Sequence, residues 1–261
     1  MKYLFYVSIC LSLVLAGCSK DDAVIDNGES SDIFDNPMRH IGEIHNDALN
    51  SIATNHVSID SICEFTQEYV EAQFAQSQHN CVIPENYSYE SMNLAKRIGI
   101  ERMSTYSYTR NNSESMTADS IYSELPSNCK IYIDNLIEII TANESNIDNI
   151  RYKISQIDQN INNALDLTSE EKNCLWACSA ITLSSYIYNL DNIKTRAVTA
   201  EGVVRADLEG AVGSFLSWKF WGKTAGGLMF GPTGAVMTAS KEIVKGAIVG
   251  SGVNVISGLI W

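Results

Sequence analysis

NIDNIRYKISQIDQNINNAL, from Asn146 to Leu165, carries an isoleucine almost everywhere one face of a helix would need it. Ile147, Ile150, Ile154, Ile157, Ile161 and Leu165 follow one another at steps of three and four, which aligns them as a seam suited to packing against a partner helix. Ser145, with Asp148 three residues on, makes a capping-box-like start. A half-buried strand would instead alternate every second residue, and convincing alternation is absent along the chain.

The same reading extends outward. Thr168 and Glu171 open a second helix through Cys174, Leu175, Trp176 and Leu183, while Ile133, Leu136, Ile137 and Ile140 give the preceding one a buried face. Connections this short force antiparallel neighbours. Nearer the start, MRHIGEIHNDALNSIATN places Ile41, Ile44, Leu49 and Ile52 on one stripe, and Ser61 to Gln78 continues with Ile62, Phe65, Tyr69 and Phe74. Cys81 to Asn128, rich in Tyr, Ser, Asn and Met and broken by Pro84 and Pro126, reads as shorter helices and loops. The expected fold class is all-α: an antiparallel helical bundle over 37–198, followed by a glycine-rich C-terminal helical hairpin over 199–261.

Twelve of the 16 glycines fall between Gly202 and Gly258, which sets that ending apart. Two arms are expected, Ala206 to Met229 and Thr233 to Leu259, with Gly231-Pro232-Thr233-Gly234 as the turn. In the second arm Gly234, Thr238, Glu242, Gly246, Gly250, Asn254 and Gly258 recur every four residues as a ridge of mostly small side chains. Each interior glycine costs about 1 kcal/mol relative to alanine in a helix, so close packing must offset Gly246, Gly250, Gly252 and Gly258. The first arm offers small residues of its own at Gly210, Ser214, Gly222 and Gly226. This pattern is similar to the glycine-zipper segments of bacterial envelope lipoproteins and some bacteriocins, but the charges of Asp207, Glu209, Lys219, Lys223, Lys241, Glu242 and Lys245 imply helix packing more than membrane insertion. Trp218 and Trp221, interleaved with Lys219, Phe220 and Lys223, look like a membrane-interface girdle, and Trp261 adds a last aromatic; core packing is the plainer reading of the first two.

The other end supplies an address. Tyr3 to Ser19 carries no charge, and its apolar part fits the h-region of a secretory signal. As a helix the whole charge-free run reaches only about 25 Å, short of the roughly 30 Å hydrocarbon core. Leu15-Ala16-Gly17-Cys18 resembles the bacterial lipobox, at which the Cys is diacylated on sulfur and the peptide before it is removed. Ser19-Lys20-Asp21-Asp22 resembles the charged export tag of surface lipoproteins of the Bacteroidetes type. The resemblance implies a signal peptide over 1–17, lipidation at Cys18, a membrane held through that lipid, and an outer-membrane, surface-exposed location. Residues 18–36, acidic and poor in large apolar side chains, read as a disordered tether. Asp60-Ser61-Ile62 and Asp119-Ser120-Ile121 resemble the O-glycosylation signal of envelope proteins of that group, marking Ser61 and Ser120; a helix cap is the plainer role of each.

Charge and motifs narrow the function. With 31 acids against 18 bases and no basic block, nucleic acid is not an expected partner. Setting Cys10 and Cys18 aside, Cys63, Cys81, Cys129, Cys174 and Cys178 are an odd number, which argues against a disulfide framework. Cys174 and Cys178, one turn apart, read as small buried hydrophobes, with a bridge to another cysteine as the alternative. His40, His45, His56 and His79 form no metal-helix spacing, and neither a G-x-S-x-G elbow nor a Walker loop occurs. His45 beside Asn46 is the most conspicuous polar pair, and it reads as structural. No cofactor, metal or catalytic residue is expected. The reading is a non-catalytic helical interaction module for a protein partner or a homo-oligomer. The alternatives are a membrane-active, bacteriocin-like protein inserting its hairpin, and a hydrolase whose paired acids are not legible in one sequence.

Overall fold

The computed structural model describes residues 33–75, 85–107, 123–142, 146–192, 200–221 and 231–257, with the side chains of 85–87, 101–107, 190–192, 200–201, 217–221 and 231–237 outside that description. Among the described residues there are eight helices and no strand: α1 (Arg39–Thr54), α2 (Ile62–Phe74), α3 (Glu85–Ser107), α4 (Ser127–Thr141), α5 (Ile147–Asn163), α6 (Ser169–Asn192), α7 (Ala200–Trp221) and α8 (Gly231–Ile256). The protein is all-α, a packed helical bundle.

The isoleucine seam is α5. Ile150, Ile154, Ile157 and Ile161 are buried, and Ile147 packs partly buried against the same core. The N-cap is Asn146, whose side chain accepts from the N–H groups of Asp148 and Asn149; Ser145 lies outside the described residues. The seam stops sooner than its spacing suggests, because Ala164 turns extended at ψ 126° and leaves Leu165 fully exposed. At α6 the capping box is complete. Glu171 N–H donates to Thr168 Oγ1 at 3.2 Å, and Thr168 N–H donates back to Glu171 Oε2 at 3.0 Å.

The α5–α6 register runs in opposite senses, with Lys172 against Asn162 and Trp176 against Asp158, as the short connection requires. Not every neighbour is antiparallel. Gly42 meets Ala180 and Ser184, and Tyr188 donates to Asn50, so α1 and α6 run parallel. At its end α1 closes through His56 at φ 51°, a left-handed position: His56 N–H bonds Ala53 O and Val57 N–H bonds Ile52 O, the paired bonds of a Schellman motif.

Two expectations are corrected. Glu85–Ser107, expected as short helices and loops, is one helix of 23 residues. Its buried face is assembled from Met92, Ala95 and Ile98 together with Ser88, Ser91 and Gly99, and the small polar residues mask the apolar period. Gly231–Pro232–Thr233–Gly234 is not a turn but the first turn of α8, where proline is tolerated because its missing N–H needs no partner.

Ile33–Trp261 forms one compact unit. Every described side chain of α8 from Thr238 to Val255 is buried. A helix buried on all sides is an inner helix, and α8 packs on α7, α3, α1, α6 and α2. Gly246 faces Gly210 and Ser214 while Gly250 faces Ala206, so α7 and α8 are antiparallel. Gly250 O lies 2.6 Å from where a Gly99 β-carbon would stand, and the Ile62 side chain lies 2.5 Å from where a Gly252 β-carbon would stand. At Gly246 and Gly250 the ridge faces this chain's own α7. Among the described residues no helix is long and apolar enough to cross a membrane.

Candidate functional site

A cleft of about 490 Å³ opens between α1, α5 and α6. One wall is the segment 33–36, expected as the end of a loose tether; the structure docks it on the body. Phe34 stacks on Trp176 with ring centroids 5.8 Å apart, and its N–H donates to Ser155 Oγ at 2.7 Å. Asn36 Nδ2 donates to Asp158 Oδ2 at 3.1 Å and to the Trp176 carbonyl at 3.0 Å. Trp176 Nε1 in turn donates to the Asp158 carbonyl at 3.1 Å. Aromatic stacking and three hydrogen bonds thus fasten the strap across α5 and α6.

Asp158 and Ser179 are polar members of the lining that are nine-tenths or more buried, at 3% and 0% exposure. Asp158 Oδ1 and Ser179 Oγ are closed to solvent, and the two side chains face one another. Burial pushes the Asp158 carboxyl up to about 7, opposed by the neighbouring Ser179 hydroxyl and by Asn36. Arg39 and Glu43, 3.7 Å apart and exposed, stand at the rim with Arg151 and Asp35.

Two further polar clusters lie in the body, the first fully buried and the second reaching the surface at Glu71. His45 Nδ1 lies 3.0 Å from Asn46 Oδ1, while its Nε2 lies 3.7 Å from Asp207 Oδ2 and 3.5 Å from Ser251 Oγ. Ser185 donates to the same Asp207 oxygen. The residue types are those of a hydrolytic triad, yet hydroxyl and carboxylate share one ring nitrogen, so the imidazole cannot relay a proton between them. His45, Asp207 and Ser251 are fully buried, which fits a structural role; burial raises the Asp207 carboxyl against the lowering influence of His45 and Ser185. The second cluster joins α2, α3 and α8. Lys245 Nζ donates to Glu242 Oε1 at 2.8 Å, Ser88 Oγ at 3.0 Å and Glu71 Oε1 at 3.1 Å, and Lys241 Nζ donates to Glu71 Oε2 at 2.6 Å. Partial burial works to raise the Glu71 carboxyl, but the two ammonium groups outweigh it and hold it below its usual value.

Cys63, Cys129, Cys174 and Cys178 are buried thiols. Burial, reinforced by Cys129, pushes Cys178 up to about 12, and Cys174 is likewise raised, so neither is a reactive thiolate. Among the described residues no three His, Cys, Asp or Glu side chains converge as a metal site.

Of the residues singled out from sequence, Gly246 and Gly250 lie at the α7–α8 contact. Ser61 precedes α2 half-buried, its hydroxyl 2.8 Å from that of Ser58. Trp218 and Trp221 belong to α7, with side chains not described, and Cys18, Cys81, Ser120, Gly258 and Trp261 lie outside the described residues. Sequence reasoning missed Asp158 and Ser179. Asp158 stands four residues after Ile154, on the edge of the seam, and an acid in that register is the signal that could have found it.

No protein-family model, curated protein or solved structure matches the chain.

Proposed function

We propose that this protein is a lipid-anchored lipoprotein of the cell envelope, held at the outer membrane through Cys18, whose helical body is a non-catalytic binding module. The observation that carries the module reading is the cleft between α1, α5 and α6, an open site lined by apolar and polar side chains beside the docked segment 33–36. The His45–Asp207 cluster, the nearest thing to catalytic chemistry, is closed to substrate, which favours binding over turnover. Burial of α8 on all sides favours a module over a membrane-inserting hairpin, because freeing that helix would dismantle the core.

The anchor is tested by membrane fractionation and protease shaving of cells producing the native chain or Cys18→Ala. The native chain is expected in the outer-membrane fraction and removable from intact cells, while C18A is expected in a soluble fraction. Equal membrane retention of both would overturn the anchor. Release of dye from liposomes by the native protein, lost on deletion of residues 202–261, would instead favour the membrane-active reading.

A further inference from the structure

Deepening the binding-module reading, on which it rests, we propose that the strap 33–36 is a proton-controlled clasp, docked on α5 and α6 while the Asp158 carboxyl carries a proton and lifted when that carboxyl ionises. One residue touches both halves of the fastening. The Asp158 side chain accepts from Asn36 Nδ2 at 3.1 Å, and its backbone carbonyl accepts from Trp176 Nε1 at 3.1 Å, which fixes the indole on which Phe34 stacks. Met38 N–H donates to Asn36 Oδ1 at 2.8 Å, so the Asn36 amide is oriented with its Nδ2 toward the acid. Phe34 and Asn36 line the cleft together with Asp158, and lifting the strap removes one wall.

Ionisation beneath a docked strap is unfavourable. Asp158 is 3% exposed and its Oδ1 is closed to solvent. Burial pushes the carboxyl up to about 7, and the hydrogen bonds of Ser179 and Asn36 offset that only in part. The charges around it do not decide the matter: the strap brings Asp35, α1 brings Arg39 paired with Glu43, α5 brings Arg151, and α6 contributes no charged lining residue. Once the strap lifts, water replaces the Asn36 donor and hydrates the carboxylate besides. Docking and proton binding therefore favour one another, and the docked state weakens as pH rises through about 7. Beyond Asp158 the fastening is slight: one stacked ring pair, the Phe34 N–H on Ser155 and the Asn36 amide on the Trp176 carbonyl, with Ile33 64% exposed.

The test uses the full-length protein in detergent micelles with no ligand added, so its failure is separate from failure of the module reading. Phenylalanine is replaced throughout by 4-fluorophenylalanine, and the Phe34 fluorine resonance, shifted by the Trp176 ring, is assigned by Phe34→Leu. With the acid near 7 under the docked strap and returning toward 3.8 in water, the ratio of lifted to docked strap should rise by about a hundredfold from pH 5 to pH 9. The Phe34 resonance should leave its stacked position over that range. Asp158→Asn keeps an acceptor for Asn36 and cannot ionise, so it should hold the stacked position throughout. Reciprocity gives a check that leaves Asp158 intact. Phe34→Ala loosens the strap and should lower the midpoint of the Asp158 titration, followed by its carboxyl carbon-13 resonance, by about one pH unit or more. A Phe34 signal still stacked at pH 9, an equal movement in Asp158→Asn, or a midpoint unchanged in Phe34→Ala would overturn the proposal.

Discussion

Gly246 of α8 sits so close to Ser214 of α7 that a β-carbon at position 246 would overlap the Ser214 hydroxyl and the Gly210 carbonyl. The hydroxyl could rotate away, but the carbonyl belongs to a helix backbone and could move only with α7. Gly246→Ala is therefore expected to destabilise the protein by about 1–3 kcal/mol, the usual cost of overpacking. Gly213 is the control: a β-carbon there would meet Ile98 and Leu94 at an ordinary 3.7 Å. Gly213→Ala should stabilise by about 0.5–1 kcal/mol through helix propensity. Urea denaturation of the two variants should give opposite signs, and equal effects would mean that the α7–α8 approach is looser than described.

Lys245, 1% exposed, is held between Glu242, Glu71 and Ser88. Lys245→Met should cost about 3–5 kcal/mol, because Glu242, only 6% exposed, is left without the Lys245 ammonium. Adding Glu242→Gln should recover much of that loss. The acid limb should change as well. The Glu71 carboxyl lies below its usual value in the folded state, so its stabilisation is present above the unfolded value and lost as pH falls through the folded one. Lys245→Met should move that loss to higher pH. A double variant no more stable than the single one would contradict the pairing.

Asp158 predicts a slope of the opposite sense. Its folded value near 7 lies above the unfolded value of about 3.8, so the folded state binds the extra proton between them and stability falls as pH rises through that window. The loss is about 4 kcal/mol at most, at 1.36 kcal/mol per unit. Asp158→Asn removes this titration, and its stability relative to the native protein should climb from about pH 4 to 7 and then level off. A pH-independent difference, measured by denaturation at matched ionic strength, would place Asp158 in a wetter setting.

Much of the bundle was legible because periodicity and caps agreed. The isoleucines of α5, the Thr168–Glu171 box and the Ile41–Leu49–Ile52 stripe each state a helix and its buried face. α3 was not legible as one helix, since its inward face mixes Ser88, Ser91 and Gly99 with Met92, Ala95 and Ile98, and serine or glycine in a contact looks the same in sequence as serine or glycine in a loop. The four-residue glycine ridge was visible, but what it faced was not, because long-range contacts such as Gly99 with Gly250 leave no local trace. The cleft lay further out of reach. Asp158, Ser179 and Phe34 come from three separate segments, and only the fold makes them neighbours.

The account turns on α8 being the innermost helix rather than a detachable arm. Native-state amide hydrogen exchange measures this directly, helix by helix. The amides of residues 238–255 should be among the slowest in the protein and should exchange only with global unfolding. Exchange of α8 well before α5 and α6, with the rest of the bundle still protected, would contradict it.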